Sequence, residues 1–186
     1  EWALKTLING QPSFEVLKPY MPKSLNLKQL AKFMDSTFSG RLNEEKIKKL
    51  RDSWKGKLVI KGTESVHDIE KAYKLGIDGV IISNHGGRQV DVGQATVDSL
   101  KTIAPIYKGK LKIMMDSGIR GGADVARVLG VGADFTFLGR SFMYGVSALG
   151  SKGGTHTISV IKKQLKQIVE QLGCSKIEDF VDTRIY

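Results

Sequence analysis

The chain has 186 residues, 41% hydrophobic and 26% charged, with a net charge of +10 from 29 Lys and Arg against 19 Asp and Glu, which supplies a sizeable core for one domain. Its single cysteine, Cys174, excludes an internal disulfide framework and points to a reducing compartment, and no apolar run approaches the ~18 residues of a membrane-spanning helix. The lysines are spread along the chain, mostly on predicted helices, which argues against nucleic-acid binding, while a basic balance suits an anionic substrate or a membrane surface.

The sequence opens without an initiator methionine and inside a helical pattern, Glu1-Trp2-Ala3-Leu4-Lys5-Thr6-Leu7, and reads as a piece of a longer protein. Trp2 to Ile8 is predicted as a short helix ended by Asn9-Gly10, followed by a connecting stretch in which Pro12, Pro19 and Pro22 exclude regular helix. Leu27, Leu30, Ala31 and Met34 recur at helical spacing, and Asn43-Glu44-Glu45 reads as a cap with first-turn acids before Ile47, Leu50 and Trp54. Residues 1–56 are therefore a connecting segment and helices.

The pattern changes after Gly56. Lys57-Leu58-Val59-Ile60-Lys61 has the form of a buried parallel strand, and Ser65-Val66-His67-Asp68 reads as a capping box for a helix to Leu75. A second strand spans Gly79 to Ser83, with a helix from about Thr96 to Ile103. A third, Leu111 to Asp116, leads through Ser117-Gly118-Ile119-Arg120-Gly121-Gly122 into a helix ending near Leu129, and a fourth, Phe135 to Leu138, runs into Gly139-Arg140. Residues 57–150 thus hold four β-α units. The C-terminal helical segment, 151–186, carries a long amphipathic helix through Ile158, Ile161, Leu165, Ile168 and Leu172, and a tail from Ile177 to Tyr186.

Each polar group of interest falls at the carboxyl end of a strand, where (β/α)₈ barrels build their active sites. An open doubly wound sheet competes, but it normally shows a phosphate fingerprint at its first strand, and Lys61-Gly62-Thr63 is not one. A whole barrel needs eight units in ~250 residues. The expected fold class is α/β, with this chain as the second half, strands five to eight, of a TIM (β/α)₈ barrel.

The most informative stretch is Ser83-Asn84-His85-Gly86-Gly87-Arg88-Gln89. An imidazole that takes a proton and a guanidinium that holds a carboxylate through two parallel hydrogen bonds are tools for handling a small acid. Taken alone, His-Gly-Gly-Arg is as readily a solvated turn, Lys61 a surface lysine, and Ser117 to Gly122 an ordinary helix start. His67 and His156 read as exposed helix residues, Trp2, Trp54 and Tyr144 as packing, and Cys174 as a small buried hydrophobe.

Together with Leu58-Val59-Ile60-Lys61-Gly62, Asp116-Ser117-Gly118-Ile119-Arg120 and Leu138-Gly139-Arg140 in this order, that stretch resembles the C-terminal half of the FMN-dependent α-hydroxy acid dehydrogenases and oxidases. The resemblance covers essentially the whole chain. It implies an FMN enzyme oxidising a small L-2-hydroxy acid, with lactate favoured. His85 is then the base, taking a proton from the α-carbon or from the hydroxyl, Arg88 holds the substrate carboxylate, and Lys61 stabilises negative charge on reduced flavin. It also implies that Ser83 bonds the flavin pyrimidine edge and that Asp116 faces the ribityl hydroxyls. Ser117, Gly118, Ile119, Arg120, Gly139 and Arg140 then form the phosphate site, where close-approaching amides, a helix amino terminus and two arginines offer positive charge. Gly121 stands where the family usually carries a bulkier or basic residue.

The family's remaining active-site groups, two tyrosines and an aspartate that pairs with the histidine among them, belong to the first four strands. The resemblance therefore implies that an N-terminal half of similar size completes the barrel, and that the whole assembles as a homo-oligomer, commonly a tetramer. The expected location is the cytoplasm or the periphery of a membrane. The competing readings are a non-catalytic half barrel that binds phosphate or FMN, and another FMN barrel enzyme.

Overall fold

The computed structural model describes residues 2–10, 15–22, 25–37 and 42–183; Glu1, Pro12 and the last three residues of the tail lie outside them. The chain forms two compact units, 1–42 and 43–186. In the first, α1 (Trp2–Asn9) and α2 (Leu27–Thr37) follow the apolar spacing, and Glu15–Tyr20 is a 3₁₀ helix containing Pro19. The proline stretch is thus partly regular. The break between units falls before α3 (Glu44–Ser53) rather than at residue 56, because Ile47 packs on the core of the second unit and Arg51 bonds the carbonyl of Gly76 and the carboxylate of Asp78. Asn43 caps α3 as expected, its Oδ1 accepting from Lys46 N at 2.9 Å.

The second unit then runs β1 (Val59–Lys61), α4 (Val66–Lys74), β2 (Gly79–Ile82), α5 (Thr96–Tyr107), β3 (Lys112–Met115), α6 (Gly122–Val131), β4 (Phe135–Thr136), α7 (Arg140–Leu149) and α8 (Gly153–Gln171). All four strands are parallel, in the order β1-β2-β3-β4. Every strand is shorter than its apolar run, and α5 extends past Ile103 through Pro105 to Tyr107. Ser65 precedes α4 but makes no side-chain cap bond. The expected box does not form there, whereas Asp124 and Asp179 each reach back from N3 to the cap amide of their own helix, at 3.3 Å to Gly121 N and 3.1 Å to Lys176 N.

Parallel register puts Lys61, Ile81, Met114 and Phe135 in one row across the sheet. The alternate residues Val80, Ile82, Ile113 and Met115 are buried against Ile69, Leu100, Ile103, Val125 and Val128 of the helices. The other face is open, with Val59, Phe135 and Phe137 each exposed. Side chains alternate across a strand, so Ser83 and Asp116, two residues beyond Ile81 and Met114, point to the same open face as Lys61.

Helix α8 seats on the start of α6. A Cβ at Gly122 would lie 2.6 Å from Gln164 Cβ and 2.7 Å from the Leu165 amide, so only glycine allows this approach. Gln164 Oε1 accepts from Gly122 N at 2.8 Å and occupies the space beside Gly121, 2.9 Å from where a Cβ would stand. Three packing expectations are corrected: Trp54 and Tyr144 are exposed, and Cys174 is half-buried. The Trp54 indole lies over the backbone of Gly56 and donates to the Lys57 carbonyl at 3.0 Å, so it closes a turn without entering the core.

At the amino-terminal end of the strands Asp78 gathers α3, the start of β1 and the turn before β2. It accepts from Lys57 Nζ at 2.8 Å, Leu58 N at 2.9 Å and Arg51 Nη1 at 3.0 Å. The hydrogen bond from Lys57, then that from Leu58, outweigh desolvation and, with Arg51, lower its carboxyl to about 2. A carboxyl depressed in the folded state contributes stability above its unfolded value of 3.8, and the contribution is lost as pH falls toward 2. Asp78→Asn is expected to lower the denaturation midpoint at neutral pH, with the gap to the unmodified protein narrowing across that acid range. A gap that stays constant with pH would show that ionisation of Asp78 does not matter.

Candidate active site

Three loops at the carboxyl ends of β2, β3 and β4 meet at Gly86. The turn after β2 is set by Asn84, whose Oδ1 accepts from Gly86 N at 3.0 Å and Gly87 N at 3.2 Å. Ser117 joins it to the loop after β3, its Oγ accepting from Gly86 N at 3.0 Å and donating to Asp116 Oδ1 at 2.7 Å. Arg140 joins it to the loop after β4, donating from Nη2 to the Gly86 carbonyl at 2.7 Å. Gly86 has φ 70, and a Cβ there would collide with Arg140, so the junction requires glycine. Thr96 at the start of α5 donates from Oγ1 to the Asp116 carbonyl at 3.1 Å and holds the β3 loop from below.

His85 (φ 56) and Ser117 (φ 76) are the non-glycine residues with positive φ among the described residues. Each left-handed conformation costs about 1–2 kcal/mol. Both strained residues lie in this one cluster, and such strain gathers where loops are held for a purpose. The imidazole of His85 reaches back over the end of β1, its Cε1 3.9 Å from where a Cβ on Gly62 would stand.

On the open sheet face Lys61 Nζ donates to Ser83 Oγ at 2.9 Å and pairs with Asp116 Oδ2 at 2.9 Å. Burial works to raise the Asp116 carboxyl, but hydrogen bonds from Ser83, Ser117 and Lys61 and the Lys61 charge outweigh it and hold the group below its ordinary range. Asp116 is thus an anion next to a fixed cation, and Ser83 Oγ also accepts from His85 N at 3.2 Å.

Lys61, His85, Asp116 and Ser117 line a cleft of about 280 Å³ with Arg88, Gly118, Ile119, Arg120, Phe137, Leu138, Gly139, Arg140 and Met143, and Ser83 lies buried behind it. Lys61, Arg88, Arg120 and Arg140 stand there against one carboxylate, Asp116. No hydrogen bond or ion pair engages the guanidinium of Arg88 or of Arg120 among the described residues, and the amides of Gly118 and Ile119 are likewise unengaged. A neighbouring cavity of about 410 Å³ shares Gly86, Ser117, Gly118, Ile119 and Arg140 but lacks Lys61, His85 and Arg88. Lys61, His85 and Arg88 line the first.

The structure thus brings every residue singled out from the sequence to one end of one sheet. Reading the sequence missed Asn84, Thr96, Phe137 and Met143. Asn84 carried a signal, since an asparagine before two glycines is a common turn former, whereas Thr96 carried none.

The sequence pattern of the FMN-dependent dehydrogenases matches residues 1–186. The chain belongs to that family. Among its relatives, the L-lactate dehydrogenase of Actinobacillus pleuropneumoniae serotype 5b (strain L20) is 35% identical over 96% of this chain and 47% of its own length, and that of Vibrio parahaemolyticus serotype O3:K6 (strain RIMD 2210633) is 36% identical with the same coverage. The crystal structure of a monotopic membrane protein, (S)-mandelate dehydrogenase, superposes with a TM-score of 0.87 at 31% identity over 96% of this chain and 47% of that one. Mandelate oxidase with benzoyl-formic acid gives 0.72 at 27% identity over 75% and 42%. The chain spans about half the length of the curated relatives it matches, and its four parallel strands correspond to half of the family's barrel.

FMN brings a phosphate dianion, a hydroxylated chain and a ring edge of carbonyl oxygens. The donors of the cleft fit that group: unengaged guanidinium and backbone amides at the β3 and β4 loops, and the Lys61 ammonium on the sheet face.

Proposed function

We propose that this chain supplies the C-terminal half of an enzyme that oxidises a small L-2-hydroxy acid, L-lactate first, to the 2-oxo acid, and that it lies at the periphery of a membrane. The observation that carries the chemistry is the cleft itself, in which the unengaged Arg88 guanidinium stands beside His85 on a wall already rich in positive charge. The L-lactate dehydrogenase relatives favour lactate. The monotopic (S)-mandelate dehydrogenase supports the membrane location, since no helix among the described residues is long and apolar enough to cross a bilayer.

In this reading Arg88 takes the substrate carboxylate in a bidentate pair and fixes which face of the acid meets His85. His85 takes the proton that the substrate releases, from carbon or from oxygen. FMN, when bound, accepts the two electrons. Lys61 and Ser83 hold its pyrimidine edge, and Asp116, locked as an anion, accepts from ribityl hydroxyls while keeping Lys61 oriented. Arg120, Arg140 and the amides of Ser117, Gly118, Ile119 and Gly139 hold the phosphate. The exposed apolar face of Val59, Phe135 and Phe137 is covered by the other half of the barrel.

An absorption spectrum of the intact protein, recorded before and after anaerobic addition of L-lactate, tests this. A flavin band that bleaches is expected. A band that persists removes lactate as substrate and leaves the cofactor assignment standing, whereas no band even after added FMN overturns the catalytic reading.

A further inference from the structure

Two hydrogen-bond routes lead from Lys61 to the turn that carries His85, and they end on neighbouring amides. One passes through Ser83, whose Oγ accepts from Lys61 Nζ at 2.9 Å and from His85 N at 3.2 Å. The other passes through Asp116 and Ser117. Lys61 Nζ pairs with Asp116 Oδ2 at 2.9 Å, Ser117 Oγ donates to Asp116 Oδ1 at 2.7 Å, and the same Oγ accepts from Gly86 N at 3.0 Å. In the function proposed above Ser117 lends its backbone amide to the phosphate, and its side chain has no task.

That side chain stands on a backbone that does not favour it. Ser117 has φ 76, a left-handed conformation that glycine adopts without steric cost and serine does not. The hydroxyl is what serine adds there. It is not needed to satisfy Gly86 N, because Asn84 Oδ1 already accepts from that amide at 3.0 Å. The Asn84 bond is local and shapes the turn, whereas the Ser117 bond spans 31 residues and ties the turn to the loop after β3. Asp116, held below its ordinary range, is an anion that can only accept. It therefore takes the one hydroxyl proton and leaves the Oγ lone pairs for Gly86 N. The other long-range hold on Gly86, from Arg140 to its carbonyl, comes from a guanidinium that the phosphate also engages.

We propose, on the footing of that function, that Ser117 is a positioning residue for the base: its hydroxyl, oriented by Asp116, fixes the Gly86 amide and with it the place of the His85 imidazole relative to Lys61. His85 is itself at φ 56, so a turn released from the β3 loop has a less strained backbone to relax into, and the imidazole moves with it. A misplacement of about 1 Å costs about 10²-fold where reaction depends on a near-attack geometry.

The experiment is anaerobic stopped-flow reduction of the intact, FMN-loaded protein by L-lactate, glycolate or (S)-mandelate, with steady-state turnover alongside. Ser117→Gly removes both the hydroxyl and the strain, and Ser117→Ala removes the hydroxyl and keeps the strain. Both are expected to retain the flavin band, to leave KM within about twofold and to slow reduction about ten- to a hundredfold, with the thermal midpoint of Ser117→Gly no lower than that of the unmodified protein. A double variant separates positioning from general loosening. On a His85→Gln background Ser117→Gly should slow reduction no further, since a residue that acts through the base has nothing left to place. A full additional loss in the double variant, reduction of Ser117→Gly as fast as that of the unmodified protein, or loss of FMN from both single variants would each overturn the positioning role and leave the function standing. An unmodified protein that none of the three acids reduces would overturn the function and this role with it.

Discussion

His85→Gln is expected to leave FMN bound while turnover with a 2-hydroxy acid falls by about two to four orders of magnitude. The argument is one of separation. Of the groups assigned to FMN, Lys61, Ser83, Asp116 and Arg140 are held by bonds of their own, and the bond His85 lends them is from its backbone N to Ser83 Oγ. Glutamine keeps that amide. It also keeps a polar side chain of similar reach but has no nitrogen that accepts a proton near neutral pH. Because Arg88 carries the substrate carboxylate, KM should change little and kcat should bear the loss. The left-handed backbone at residue 85 suits glutamine slightly less well than histidine, so the flavin spectrum and thermal midpoint are measured alongside. Turnover near that of the unmodified protein, with both intact, would refute the base assignment.

The sequence showed the elements of the second unit because each one is punctuated locally. Glycines and caps bound the apolar runs, and a run of three to five apolar residues between them has few structural options. What it could not show is where loops far apart in sequence touch. Nothing in Ser117 says that its hydroxyl meets the amide of Gly86, and nothing in Gly121-Gly122 says that Gln164 of α8 fills the space a larger residue would take. Those contacts come from closing the layers over one another. The first unit failed differently. The spacing of Leu4, Leu7 and Ile8 reports that a helix has an apolar face, but not whether the fold covers it, and here it does not. The same limit explains Trp54 and Tyr144, large aromatic residues that usually pack and that this fold leaves exposed.

Lys61→Met should be nearly as damaging as loss of the base, by another route. Its ammonium sits 2.9 Å from both Ser83 Oγ and Asp116 Oδ2 on the open sheet face. Methionine preserves much of the apolar stem and removes the charge, so two effects separate. Asp116 loses one of the groups that hold its carboxyl low, while the burial that works to raise it remains; its protonation should therefore move upward in pH and become visible as a new acid limb in FMN binding. The larger effect is on turnover. A preorganised cation aimed at developing charge in a site partly shielded from water contributes about 10²–10³-fold, and that is the expected loss of turnover, with reduction of bound FMN by the hydroxy acid slowed in stopped-flow. Lys61→Arg keeps the charge but offers a planar fork in place of a compact point charge, and should recover FMN binding more fully than turnover. Reduction as fast in Lys61→Met as in the unmodified protein would show that Lys61 serves Asp116 alone and has no part in stabilising the electrons that the cofactor accepts.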